Sequence, residues 1–188
     1  MIEQTKSLAN HFLIAMPALA DPNFSKTVTY LCQHGPEGAL GIIVNRPSEL
    51  KLGDIMEQMD IAAANPEAAN MPIYFGGPVQ PERGFVLHEP VGSWDSTLTI
   101  SDQVSLTTSR DILEAVARGE GPQKLLIALG YAGWGSGQLE REMVENAWLN
   151  APAETSIIFE KPSSKRWKAA AELMGIDISL LTTQAGHG

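Results

Sequence analysis

The chain has 188 residues, of which 44% are hydrophobic and 19% charged, a balance typical of globular proteins and not of disordered or fibrous ones. Its net charge of −9 repels phosphate polyanions over long range and so disfavours direct binding to nucleic acid. The single cysteine, Cys32, excludes an internal disulfide and favours a cytoplasmic location. There is no signal-peptide pattern and no run of about 18 apolar residues, so we expect no membrane segment.

We expect one domain over residues 1–188. The sequence has no fixed-period repeat, low-complexity tract or long charged run, the features that indicate solenoids or flexibly linked domains. Residues 1–8 and 182–188 carry little apolar material for packing, so both ends are expected to be flexible.

Strand signals dominate the first half of the chain. Short apolar or β-branched segments bounded by glycine or proline predict strands over residues 11–16, 27–33, 39–45, 73–75, 84–89 and 97–101. The segment 34–38 joins the second and third of these as a hairpin. Apolar residues at helical spacing predict a helix over 52–59, and Asn65-Pro66 breaks the pattern that follows.

Helices are more frequent in the second half. Ser109 as an N-cap and Arg118-Gly119 at the exit bound one predicted helix, and a continuous apolar run predicts a buried strand over 124–129. An amphipathic helix is predicted over 138–148 and a last strand over 155–159. The final helix is predicted over 163–174, with an apolar stripe formed by Trp167, Ala170, Ala171 and Met174.

The order of these elements indicates the fold class. Strands and helices do not alternate strictly, so an α+β fold with a mixed, largely antiparallel sheet fits better than a doubly wound sheet. Three or four helices would flank the sheet, which has enough strands to curl toward a partly closed barrel.

The glycine-rich segment from Gly130 to Gly137 is expected to be a tight turn between the central strand and the next helix, where backbone N–H groups can bind an anion. A phosphate loop needs Lys followed by Ser or Thr after its last glycine, and Gln138-Leu139 stand there. A nucleophile elbow at Ser136 needs glycine at the positions of Trp134 and Gln138. The segment therefore predicts a structural turn or a ligand surface and no catalytic residue.

Other reactive side chains give no catalytic or metal pattern. Cys32 and His34 share a strand face, but side chains at that spacing lie about 7 Å apart, too far for direct proton transfer. The four histidines are isolated from one another, so we expect no metal site and no cofactor. Arg46, held extended by Pro47, is expected either to bind a carboxylate or phosphate or to pair with an acid of the neighbouring loop.

A small basic set surrounds Trp167 near the C-terminus. Its members are Lys161, Lys165, Arg166 and Lys168. Such a composition is used for nucleic-acid contact, but it is more often a solvated helix face, and Trp167 already fits the apolar stripe of its helix. Direct DNA binding by this helix is therefore kept as an alternative only.

Three groups of motifs together resemble the AlgH/YqgE family of bacterial proteins. They are 12–17 with 41–47 (FLIAMP and GIIVNRP), 75–79 (FGGPV), and 130–135 with 137–140 (GYAGWG and GQLE). The family is largely uncharacterised and regarded as cytosolic, and its usual description is a transcriptional regulator linked to alginate production. The resemblance implies no catalytic residues.

From the residues and this resemblance we expect a cytoplasmic binding or regulatory domain that acts through an unknown protein or a small ligand. Polar and aromatic residues at strand ends beside glycine turns form the expected surface. They are Asn45, Arg46, Gly76, Gly77, Tyr131, Gly133, Trp134, Gln138 and Glu140. The alternative is an enzyme that holds a small anionic substrate at the glycine-rich turn, so the sequence leaves catalytic activity open.

Overall fold

The computed structural model describes residues 7–62, 65–178 and 180. The strands in these ranges are β1 His11–Ala15, β2 Val28–Gly35, β3 Gly38–Ile43, β4 Pro47–Lys51, β5 Pro72–Phe75, β6 Val79–Glu89, β7 Thr97–Thr99, β8 Ser105–Thr107, β9 Lys124–Gly135 and β10 Trp148–Pro152. The helices are α1 Leu52–Gln58, α2 Pro66–Ala69, α3 Arg110–Ala117, α4 Gln138–Val144, α5 Thr155–Phe159 and α6 Arg166–Glu172. A 3-10 turn, Ser163–Lys165, precedes α6.

The strands form one curled sheet in the order β10-β1-β2-β3-β9-β6-β8-β7, with β4 and β5 as a side ladder. All pairings are antiparallel except that of β5 with β9. The predicted α+β class, with a mixed and largely antiparallel sheet curled toward a half-barrel, is confirmed. The described residues form six α-helices, where three or four were predicted.

The main core lies inside the curl of the sheet. Phe12, Tyr30, Ile42 and Leu87 are fully buried there, and they come from four different strands. A second core lies on the opposite face of the sheet, beneath α1 and α3, and a third surrounds Trp134 and Trp148 beneath α4. The period-two pattern of the strands therefore fills two faces, as expected for a sheet covered by helices.

The strand β9 is much longer than the sequence predicted. A turn was expected from Gly130, but the chain stays extended through Gly135, and only Ser136 and Gly137 form the turn before α4. Gly130 has a φ of 79°, a conformation that glycine adopts without steric cost. The glycine kinks the strand without ending it, so that prediction was wrong.

Two further predictions were wrong. Residues 155–159 were predicted as a strand and form α5, which buries Ile157 and Ile158; a short apolar run cannot be assigned by periodicity alone. The helix predicted over 138–148 ends at Val144, and Trp148 begins β10. Met174 was placed in an apolar stripe but is 46% exposed.

Several elements escaped prediction. The strands β4, β8 and β10 were missed, as was α2, in which Asn65 caps the helix by accepting from the Glu67 N–H. The predicted flexible ends, 1–8 and 182–188, lie largely outside the described residues. Leu8, within that first range, donates its N–H to the His34 ring.

The members of the basic set near the C-terminus differ in how far their side chains are buried. Lys161, Lys165 and Lys168 are exposed, whereas only 6% of Arg166 is exposed. Arg166 donates to the carbonyl oxygens of Val44 at 2.6 Å and of Lys161 at 2.9 Å, and its guanidinium lies 5.2 Å from the Tyr74 ring centroid. Arg166 therefore anchors α6 to the sheet and is not presented to a phosphate.

Replacing Arg166 with Met is expected to lower the free energy of unfolding by about 3 kcal/mol, because two carbonyl groups lose a charged donor. The matched change Lys165→Met, on an exposed neighbour, is expected to cost less than about 0.5 kcal/mol. Urea unfolding of the two variants measures both values. Equal stability of the two variants would contradict the anchoring role.

Candidate functional site

A long open groove lies where the curl of the sheet fails to close. One wall is β7 with Ile100, and the other is the β2–β3 hairpin with the second half of β9. Its volume is about 930 Å³, and we call it the seam groove. Its lining includes Gln33, His34, Glu37, Leu40, Val79, Leu98, Thr99, Ile100, Tyr131, Gly133 and Trp134.

The floor of the seam groove is apolar. Leu40, Leu98, Ile100 and Tyr131 pack against the main core and leave part of their surface exposed. The Tyr131 ring meets Phe85 edge to face, with centroids 5.6 Å apart, a stable aromatic geometry. Tyr131 is therefore a fixed wall of the groove, positioned by the core beneath it.

The charge of the seam groove is not suited to anions. Among the described residues that line it there is no Lys or Arg, and Glu37 is an exposed acid on its rim. The chain as a whole carries a charge of −9. The local and long-range fields both favour a neutral or cationic ligand.

The outer edge of β7 is open along the groove. Within the described residues β7 pairs with β8 alone. At the two ends of this ladder, the Ile100 N–H donates to the Val104 carbonyl and the Thr108 N–H donates to the Ser96 carbonyl, so Ser96 and Ile100 turn their backbone groups toward β8. Because bonded and non-bonded pairs alternate in an antiparallel ladder, the backbone groups of Thr97 and Thr99 point outward. The groove thus has one wall made of unpaired strand edge.

His34 is tied into the end of the hairpin. Its Nδ1 accepts the Leu8 N–H at 2.8 Å, so Nε2 carries the proton and faces Glu140 Oε2 at 3.3 Å. Cys32 lies at a bulge in β2, and burial raises the pKa of its thiol. Neither ring nitrogen of His34 serves Cys32, which removes the geometry of a Cys/His nucleophilic pair.

Trp134 does not line the groove with its indole N–H. That group donates to Glu142 Oε1 at 3.0 Å, and the Trp148 indole donates to the same oxygen at 2.9 Å. Gln138 donates to Glu142 Oε2, while its own Oε1 accepts the Gly135 N–H. Trp134 and Gln138, both expected at the surface, therefore form with Trp148 and Glu142 a network that holds α4 on the sheet.

The sequence did not single out Glu142 for this network. It was counted as part of the polar face of the predicted helix, and the only local signal is its position four residues after Gln138. Its two indole partners come from strands that flank α4 in the chain. That convergence depends on tertiary packing.

Asn45 and Arg46 lie away from the seam groove and hold a loop. Asn45 accepts the Val28 N–H and donates to the Lys26 carbonyl, and the Arg46 guanidinium donates to the carbonyls of Pro22, Asn23 and Ser25. Burial lowers the pKa of Arg46, while nearby Asp21 opposes that shift. The structure places both side chains on the adjacent loop, where Arg46 binds backbone carbonyl groups instead of the acid that was expected as one of its two partners.

Gly76 and Gly77 lie against the backbone of β9. A Cβ on Gly76 would meet the Gly130 carbonyl, and one on Gly77 would meet the backbone of Tyr131. Gly76 also bridges two strands, because its carbonyl accepts the Ile43 N–H and its N–H donates to the Leu129 carbonyl. Because they lack a Cβ, these glycines allow two backbone segments to cross in close contact beneath the groove.

The start of α4 offers little to an anion. The helix has seven residues, begins after Gly137 at a φ of 74°, and carries Glu140 in its first turn. The Gly135 N–H, just before the turn, already donates to Gln138 Oε1. Negative side chains at this position oppose the favourable field of a helix N-terminus.

The remaining histidine of interest is His88, which is fully buried on β6. Its Nδ1 lies 3.1 Å from the Pro90 carbonyl and its Nε2 lies 2.8 Å from the Thr107 hydroxyl. Burial lowers the pKa of His88, partly offset by the bond to Pro90.

Within the described ranges no three His, Cys, Asp or Glu side chains converge to form a group that could hold a metal ion. No helix in those ranges has the length and apolarity needed to cross a membrane.

Fold and site together define a curled-sheet α+β domain with an open, cation-poor groove at its seam. The AlgH-like family model matches residues 12–179. The chain therefore belongs to the AlgH-like family, as its motifs indicated.

Similar proteins agree with this assignment. A UPF0301 protein of Methylococcus capsulatus is 65% identical over 188 residues, covering 100% of both chains. The solution structure of the AlgH protein from Pseudomonas aeruginosa is 49% identical, with a TM-score of 0.81 and 100% of both chains covered. A crystal structure of a Corynebacterium diphtheriae protein, 16% identical with a TM-score of 0.75 over 96% of this chain and 94% of that one, shares the fold.

Replacing Glu142 with Ala is expected to lower the free energy of unfolding by about 3 kcal/mol, because two indole N–H groups lose their acceptor. The change Glu145→Ala, at an exposed position just after the same helix, is expected to cost less than about 0.5 kcal/mol. Urea titrations followed by tryptophan fluorescence give both values. If Glu142→Ala is as stable as Glu145→Ala, the network does not hold α4.

Proposed function

We propose that this chain is a non-catalytic binding domain whose seam groove takes an extended segment of a partner protein. The observation that carries the proposal is the unpaired outer edge of β7 beside an apolar floor. An extended peptide can add to such an edge through main-chain hydrogen bonds, while alternate side chains enter the groove.

The lining of the groove defines the chemistry of the segment. An added strand would turn every second side chain toward Leu40, Val79, Leu98 and Tyr131. These inward-facing side chains of the ligand are therefore apolar. Glu37 on the rim and the net charge of −9 favour Lys or Arg among the residues between them. The expected ligand is an extended segment with alternating apolar and basic residues.

The same features weigh against the other candidates. A small anionic substrate at the glycine-rich turn would meet the Glu140 carboxylate at the start of α4. Among the described residues that line the seam groove there is no Lys or Arg to hold it. Nucleic acid could contact only three cations of the basic set, Lys161, Lys165 and Lys168, because Arg166 is buried. The role of transcriptional regulator linked to alginate production, implied by the family resemblance, then runs through a bound protein in the cytoplasm.

Selection from a library of displayed random peptides tests this proposal. We expect enrichment of alternating apolar and basic sequences, and fluorescence anisotropy should show affinity at least about tenfold weaker for Val79→Asp, which places a charge on the groove wall. Thr99→Pro removes an outward N–H of β7 and is expected to weaken binding to a similar degree.

The matched control is Val144→Asp, at a residue that is 82% exposed on α4 and outside the groove. It should bind the selected peptides like the original chain. Equal affinity of Val79→Asp and Val144→Asp would overturn the site. Failure to select any peptide, together with saturable binding of a small phosphate or carboxylate compound, would favour the enzyme alternative.

A further inference from the structure

A second cavity lies on the opposite face of the sheet, between α1 and α3. Its volume is about 460 Å³, within the range of sites for small molecules. Ile55 and Met59 form one wall, Leu113 of α3 forms the other, and Val86 and Ile127 form the floor. We call it the helix pocket; it shares no lining residue with the seam groove.

Gly84 shows that the helix pocket is unfilled space. This residue lines the pocket on β6 and pairs with Leu129 of β9, in the middle of the sheet. A Cβ at Gly84 would have no heavy atom within 4 Å, and its φ lies outside the range that strains other residues. A larger side chain at this position would therefore extend into the pocket and gain contacts without backbone strain. The residue there is glycine, so the space stays open.

Among the described residues that line the helix pocket, one is a cation, and it lies at the mouth. Arg110, at the first position of α3, lines the opening, and its guanidinium lies 3.8 Å from Glu114, with both side chains nearly half exposed. Such a surface pair contributes little and exchanges readily. Glu82, also at the mouth, is exposed on β6.

The two polar residues that flank Arg110 in the chain, Ser109 and Asp111, are already engaged. The Ser109 hydroxyl donates to Asp111 and accepts the Ser96 N–H, and the Asp111 carboxylate accepts from the N–H groups of Asp95 and Ile112. Arg110, in an exposed ion pair with Glu114, is the cation at the mouth that can form a new, bidentate pair. A carboxylate matches that fork geometry.

From the unfilled apolar interior and the single guanidinium at its mouth, we infer that the helix pocket binds a small aliphatic carboxylic acid. The hydrocarbon chain lies over Gly84 between α1 and α3, and the carboxylate pairs with Arg110. This site is independent of the proposed peptide site, since different residues form it.

Titration with decanoate below its micelle concentration, followed by isothermal calorimetry, tests the inference. We expect saturable binding of one molecule per chain. Gly84→Leu fills the pocket and should abolish binding, whereas Arg110→Ala should weaken it about tenfold. Arg118→Ala, at an exposed arginine just after the same helix, is the matched control and should bind decanoate unchanged.

The outcomes separate the parts of the inference. If Gly84→Leu does not fold, Leu50→Trp, which fills the mouth from a partly exposed position, replaces it with the same expected loss. No saturable binding, or equal binding by the filled variant, would overturn the site. Tighter binding of decylamine than of decanoate, or no difference between Arg110→Ala and Arg118→Ala, would overturn the assignment of a carboxylate.

Discussion

The architecture depends on a close crossing of two backbones, that of Gly76-Gly77 against that of Gly130-Tyr131. No side chain fits between them, because a Cβ at Gly76, Gly77 or Gly130 would meet backbone atoms of the other segment. The crossing joins two strands, since Gly76 accepts from Ile43 of β3 and donates to Leu129 of β9. Through it β9 pairs with β5 in its first half and with β3 in its second.

Residues on either side of this crossing line the two cavities. Val79 of β6 pairs with Tyr131, and the register then shifts before Gly84 pairs with Leu129. The first pair faces the seam groove, and the second faces the helix pocket. Both proposed sites therefore lie on the same two strands, β6 and β9, on either side of an irregularity that the glycines permit.

The sequence predicted local elements well where one face of a strand or helix was buried. The hairpin around Gly35 and the helix bounded by Ser109 and Arg118 followed from turn and capping signals that act over a few residues. The class of the fold followed from the order of elements. Strands β4, β8 and β10 were missed because they are short and depend on partners distant in the chain.

The candidate site was less predictable for the same reason. Tyr131 and Gly133 were named and do line the groove, but Leu98 and Thr99 come from a strand that only the curl of the sheet brings near them. Asn45, Arg46 and Trp134 had the chemistry of a surface and turned out to hold a loop and a helix. Side-chain type alone does not separate these roles, because both use the same donors.

The measurement that tests the account most directly is the free energy of unfolding of Gly77→Ala against that of Gly35→Ala. Gly77 has a φ of 154° and faces the Tyr131 backbone, whereas a Cβ at Gly35 would meet nothing within 4 Å. The crossing predicts a loss of about 3 kcal/mol or more for Gly77→Ala, from strain and overpacking, and less than about 0.5 kcal/mol for Gly35→Ala. Equal free energies of unfolding for the two variants would contradict the central role of the crossing.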